Sequence, residues 1–176
     1  MLNNRHDAYR LLRELEAPDH LVKHVQLVGE AADALMLEYT KQNLVFNRQL
    51  IELGVAIHDA GKILHPAELA GPGSLHEPAG RALLLAHGVQ PRVAACCVSH
   101  AAWNTDDITF EELSVALSDK LWKGKREPEL ELRVIDAVAN MQGKDRWDVF
   151  PILDDAFERI AASGTDRLGR STTPSD

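Results

Sequence analysis

The stretch Leu50-Ile51-Glu52-Leu53-Gly54-Val55-Ala56-Ile57-His58-Asp59 decides the fold. Only Glu52 breaks a run that is apolar on nearly every side of a helical wheel, which predicts a central, buried helix over about 45 to 60. Gly61 suits its C-terminus. The run ends on an imidazole followed by a carboxylate, two groups that burial leaves short of partners.

Outward from that stretch the chain keeps helical spacing. Upstream, the pattern predicts a short helix over about 6 to 15 and a longer one over 19 to 39. The second carries Leu21, Val25, Val28, Ala32 and Leu35 on one face, with Asp19 as its N-cap. Downstream, two prolines and two glycines between Pro66 and Gly73 predict a loop or short turn. Ser74 and Glu77 have capping-box spacing and predict a helix to about 87. Pro91 opens another to about Trp103, and Thr109 with Glu112 forms a second capping box for a helix ending near Gly124. Two further helices are expected over about 128 to 141 and 145 to 162. The expectation is an all-α, single-domain helical bundle over 1–163, followed by a polar, disordered tail over 164–176.

Composition agrees with that class. The 176 residues suffice for one domain, and with aromatics at only 5% the core must be built from Leu, Ala, Val and Ile. A formal net charge of −8 disfavours extended nucleic acid and anionic membrane as partners, yet leaves room for a small anion where local cations or a metal reverse the field. Cys96 and Cys97 are adjacent, have no third cysteine to pair with, and read as reduced core residues. No apolar run approaches the ~20 residues that a bilayer requires, and the opening MLNNRHDAYRLLRELEAP has no apolar signal core. A cytoplasmic location is therefore expected.

The histidines and acids carry the chemical signal. His58-Asp59 closes the most apolar helix, and His100 closes another. Asp119 has Val115, Ala116 and Trp122 around it at helical spacing; His24 lies early on a long amphipathic helix, and His76 begins a helix after the Pro/Gly loop. A shared divalent metal would satisfy several such groups at once. Each residue alone also has an ordinary reading. His58-Asp59 fits a charge pair at a helix C-terminus, Asp119 fits an ion pair with Lys123, and a lone histidine is more often a satisfied, partly buried side chain.

The order of these residues is more telling than any one of them. HVQLVGEAA at 24–32, LGVAIHDAGK at 53–62, LHEPAGRALL at 75–84, VSHAAW at 98–103 and ALSDKLWKGKR at 116–126 together resemble the HD superfamily of metal-dependent phosphohydrolases. Within it, LHEPAG, SH and ALSDKL look most like bacterial HD proteins that hydrolyse diadenosine tetraphosphate symmetrically. The stretch between HDAGK and LHEPAG is shorter than in that group, and Leu27 stands where it commonly has an arginine.

The resemblance implies an HD-type bundle with two divalent metals, iron foremost, with manganese, cobalt, zinc and nickel as alternatives. His24, His58, Asp59 and Asp119 would hold one ion, and Asp59 would bridge to a second held also by His76 and His100. It implies hydrolysis of a nucleotide or related phosphate ester or anhydride by a hydroxide shared between the ions, with Asp59 and Lys62 catalytic. Lys62, Arg81, Lys120, Lys123 and Arg126 would contact the substrate, although a basic run at a helix C-terminus also complements the helix dipole. A homodimer is compatible with these features. His20, on the face of His24, is open as a supporting group, His65 as a substrate contact, and Trp103 and Trp122 as core residues or base-stacking rings. Two rival functions share the ligand set: a di-iron HD-fold oxygenase, and a non-catalytic HD scaffold that binds a nucleotide or a protein.

Overall fold

The computed structural model describes residues 1–172. Among them are nine α-helices, two 3-10 turns and no strand. The helices are α1 (Arg5–Glu14), α2 (Asp19–Lys41), α3 (Arg48–Ile57), α4 (His76–Ala86), α5 (Pro91–Ser99), α6 (Phe110–Leu121), α7 (Pro128–Gln142), α8 (Arg146–Ala162) and α9 (Gly164–Ser171); the 3-10 turns, Ala60–Ile63 and Pro66–Leu69, lie between α3 and α4. No described helix is long and apolar enough to cross a membrane.

α3 is the hub, packed against α1, α2, α5 and α6. Every residue from Leu50 to Ile57 except Glu52 is buried. Burial of each large aliphatic side chain stabilises by about 1.5–3 kcal/mol, so the run that looked apolar all round is apolar because it is covered on all sides. Gly54 makes the cover tight: a Cβ there would stand 2.7 Å from Val115 Cγ2 on α6 and 2.9 Å from Cys96 Sγ on α5.

Five local expectations need correction. Asp19 lies inside the first turn of α2, and the N-cap is Pro18. The helix of the central run ends at Ile57, and the chain tightens into the 3-10 turn Ala60–Ile63. The capping box at Thr109 and Glu112 forms, whereas the one at Ser74 and Glu77 does not. The N-terminal amides of Leu75 and His76 instead donate to the carboxylate of Glu68, each at 3.1 Å, and Glu77 is buried. The helix after Pro91 stops at Ser99, well short of Trp103.

The last correction concerns the tail. Residues 164–171 form α9, not a disordered segment, while 173–176 lie outside the described residues. Arg167 of α9 is buried and donates to the carbonyls of Leu121, Trp122 and Ile160, at 3.4, 3.3 and 3.0 Å. It thereby ties the end of α6, at Leu121 and Trp122, to α8 at Ile160. Arg170 pairs with Glu30 of α2 at 2.6 Å. This helix is held by guanidinium contacts, so its sequence carries no apolar stripe of the usual kind.

The turn Ala60–Ile63 lies directly on α4 through two glycines. A Cβ on Gly61 would fall 1.8 Å from the carbonyl oxygen of His76 and 2.6 Å from the amide nitrogen of Gly80; a Cβ on Gly80 would fall 2.8 Å from the amide nitrogen of Gly61. Backbones this close exclude any side chain at either position. The contact brings His76 against Asp59.

Candidate metal centre

Three helix ends and two helix flanks supply the site. His58 caps α3 at its C-terminal end, His100 caps α5 in the same way, and His76 is the first residue of α4. His24 comes from the second turn of α2 and Asp119 from the last turn of α6. Asp59 follows His58 directly and stands at the centre.

The two carboxylate oxygens of Asp59 face different partners. Oδ2 lies 3.1 Å from His24 Nε2 and 3.7 Å from His58 Nε2. Oδ1 lies 3.3 Å from His76 Nε2 and 3.7 Å from His100 Nε2. Asp119 Oδ1 joins the first group, 3.8 Å from His24 Nε2 and 3.5 Å from His58 Nε2. All six residues predicted as metal ligands thus converge, in two sets that share Asp59. The donor atoms of His24, His58 and Asp59 lie within 4.8 Å of one another, as do those of Asp59, His76 and His100.

Burial makes this arrangement demanding. His58, Asp59, His76, His100 and Asp119 are all under 9% exposed. The Nε2 atoms of His24, His58 and His76 are buried with no hydrogen-bond partner. Buried polar atoms are rarely left so, and three orphaned imidazole nitrogens beside one carboxylate are groups that could hold a metal ion. These residues fit a metal ion.

The charges agree. Burial works against the Asp59 carboxylate, but His58, His24 and His76 hold its pKa well below the usual range. Burial likewise opposes Asp119, and His58 and Lys120 hold it well below. Two ionised carboxylates therefore share one buried site. Burial disfavours charge on His58, yet Asp59 and Asp119 raise its pKa; burial, reinforced by His58, drops His100 to about 4. The two ionised carboxylates leave the site with negative charge that a divalent cation would neutralise.

A cavity of about 340 Å³ opens on this cluster, bordered by His20, His24, Asp59, Lys62, Trp122 and Lys123. Leu69 and Ser171 complete its wall, so α9 reaches the site as well. Lys62 Nζ donates to Asp59 Oδ2 at 2.7 Å. Lys120 Nζ lies 3.1 Å from Asp119 Oδ2, so Asp119 pairs with its neighbour and not with Lys123, which stays exposed at the cavity edge. Trp122 is buried and packs edge-on against the His24 ring, with centroids 4.8 Å apart; it is a core residue that braces His24.

Two predicted substrate contacts lie elsewhere. Arg126 is clamped by Glu131, at 2.7 Å, and by Asp154. Arg81 is exposed and borders a separate depression beside Ala95, Val98 and Glu112. Neither borders the cavity at the metal cluster, nor does His65, whereas His20 does. Trp103 is half-buried and accepts a hydrogen bond from Arg133 on its carbonyl.

One participant carries no signal that local reading picks up. Glu68 Oε2 sits 2.6 Å from His76 Nδ1, behind the ring. Glu68 lies in the Pro/Gly segment, eight residues before its partner, and only the shape of the turn Pro66–Leu69 brings it there. Comparison with known proteins adds no assignment: no family model, curated protein or solved structure matches the chain.

Proposed function

We propose that the chain is a metal-dependent phosphohydrolase that uses two divalent cations to cleave a phosphate ester or anhydride of a nucleotide. His24, His58, Asp59 and Asp119 would hold one ion, and Asp59, His76 and His100 the other. The observation that carries this reading is the division of Asp59, with Oδ2 toward His24 and His58 and Oδ1 toward His76 and His100. A carboxylate placed between two sets of imidazoles, three of them with orphaned nitrogens, is built to bridge. Imidazole and carboxylate donors suit iron, manganese, cobalt, zinc or nickel, and the family resemblance puts iron foremost.

When bound, paired divalent ions supply Lewis acidity toward phosphate oxygens and toward water. The chain's own groups do the rest. Lys62 holds a positive charge 2.7 Å from Asp59 on the cavity wall, where an anionic phosphate would meet it. Lys123 and His20 border the same space and favour an anion despite the overall charge of −8. Lys120 steadies Asp119, and Trp122 braces His24 and keeps water from its flank. A cavity of about 340 Å³ is sized for a small molecule, not for an extended polymer.

The test is metal analysis of the purified chain together with a phosphatase screen over nucleotides. His58→Ala and Asp59→Ala should each abolish metal uptake and turnover; full activity in both would remove the proposed site. Turnover should persist without oxygen when the chain is loaded with redox-inert zinc. Strict dependence on oxygen and iron would move the assignment to an oxygenase.

A further inference from the structure

We infer that Glu68 is the positioning residue of His76 and sets the strength of the second half of the metal centre, an inference that rests on the metal-binding reading above. The reason lies in where each histidine sits on its helix. His58 and His100 stand at helix C-termini, with a turn of carbonyls behind them. His58 Nδ1 donates to Val55 O at 2.9 Å, and His100 Nδ1 donates to Cys96 O at 3.1 Å. A carbonyl only accepts, so each Nδ1 carries the proton and each Nε2 presents its lone pair to Asp59.

His76 has no such turn. It is the first residue of α4, and the carbonyls of that helix lie ahead of it, not behind. Its Nδ1 takes a carboxylate from outside the helix, Glu68 Oε2 at 2.6 Å. The same oxygen accepts from the His76 amide at 3.1 Å, and Oε1 accepts from the Leu75 amide at 3.1 Å. Glu68 therefore grips His76 by ring and backbone together. Its side chain is 9% exposed, and Gly73 makes room for it, since a Cβ there would stand 2.3 Å from Oε1. Glu77 Oε2, 3.7 Å from the same Nδ1, is buried and unpartnered, which leaves Glu68 as the hydrogen-bonded acceptor.

The two halves thus differ. The first has two carboxylates, Asp59 and Asp119, among its own donors. The second has only the shared Asp59, and compensates with a carboxylate behind one imidazole. A carboxylate in that place orients the ring and strengthens its outer nitrogen as a donor. The second ion should depend on Glu68 while the first ignores it.

Mn²⁺ alone serves as the probe, titrated calorimetrically into the metal-free chain. The native chain should take up two ions. In Glu68→Gln, which keeps a neutral acceptor in place, the second should bind about 10- to 100-fold more weakly and the first should be unchanged. Circular dichroism of Glu68→Gln and Glu68→Ala checks that α4 survives the loss of its cap. Nitrogen-15 NMR of the metal-free chain at alkaline pH reads the ring directly: His76 should be protonated on Nδ1 in the native chain and lose that preference in Glu68→Ala. Two ions at native affinity in both variants would overturn the inference, as would a native His76 protonated on Nε2. A native chain that binds no Mn²⁺ sinks the metal reading instead; the NMR comparison then still decides whether Glu68 holds the ring, and unchanged His76 signals in Glu68→Ala reject it.

Discussion

Two of the regions in which the chain buries polar groups treat them in opposite ways. At Arg167 the guanidinium meets the carbonyls of Leu121, Trp122 and Ile160, and nearby Arg126 meets Glu131 and Asp154. Around Asp59 the contacts are left open, with three imidazole nitrogens unpartnered and two carboxylates held ionised. A buried polar group that is satisfied serves the fold. A cluster of several left wanting is one that a ligand could complete, since each unmet buried group costs about 1–3 kcal/mol.

The sharpest way to break this contrast is at the glycine contact that joins the halves of the open region. Gly61→Ala puts a methyl group where the His76 carbonyl stands. It should cost about 3 kcal/mol or more, as severe overpacking does, and should impair metal uptake along with stability; a chemical denaturation curve and a metal titration check both. Arg167→Met removes the guanidinium donor from three carbonyls, of which Leu121 keeps the bond from the Gly124 amide. It should cost about 2–3 kcal/mol yet leave metal uptake intact. If Arg167→Met lost its metal as well, the two regions would not be separable.

Ligand-linked stability sharpens the comparison further. Metal at 100 times its dissociation constant should raise stability by about 2.7 kcal/mol, seen as a higher melting temperature that a chelator reverses. Arg167→Met should show the same increment from its lower baseline, and Asp59→Asn should show none. The smallest effects separate cations by location. Lys62→Ala should lower turnover, since Lys62 borders the cavity, whereas Arg81→Ala, exposed and outside it, should leave turnover unchanged and stability within about 0.5 kcal/mol.

What could be read from the sequence divides along similar lines. The run from Leu50 to Ile57 announced a buried helix because its pattern is local and its burial is complete. Thr109 and Glu112 announced a helix start correctly, since their reciprocal bonds span three residues. Ser74 and Glu77 have the same spacing and misled, because Glu68 reaches the amides of α4 first. The six candidate ligands were legible as a pattern, helped by a family resemblance, but the division of Asp59 between two sets followed from that resemblance alone and leaves no local trace in the sequence. Arg126 looked like part of a basic clamp beside Asp119, and its true partners lie five and 28 residues away. α9 was invisible because guanidinium contacts with distant carbonyls leave no periodic trace.

The position of Ser171 on the cavity wall has a practical side. A polyhistidine purification tag added downstream of Ser171 would follow a residue on the cavity wall, and its imidazoles would compete for any ion titrated there. The other end of the chain is safer. Leu2 exchanges hydrogen bonds with Gln90 at the start of α5, and Asn3 accepts one from Gln49 at the start of α3. Both helices then run about 14 Å before reaching His100 and His58. A tag at the N-terminus would sit across the bundle from the His/Asp cluster and leave a binding measurement clean.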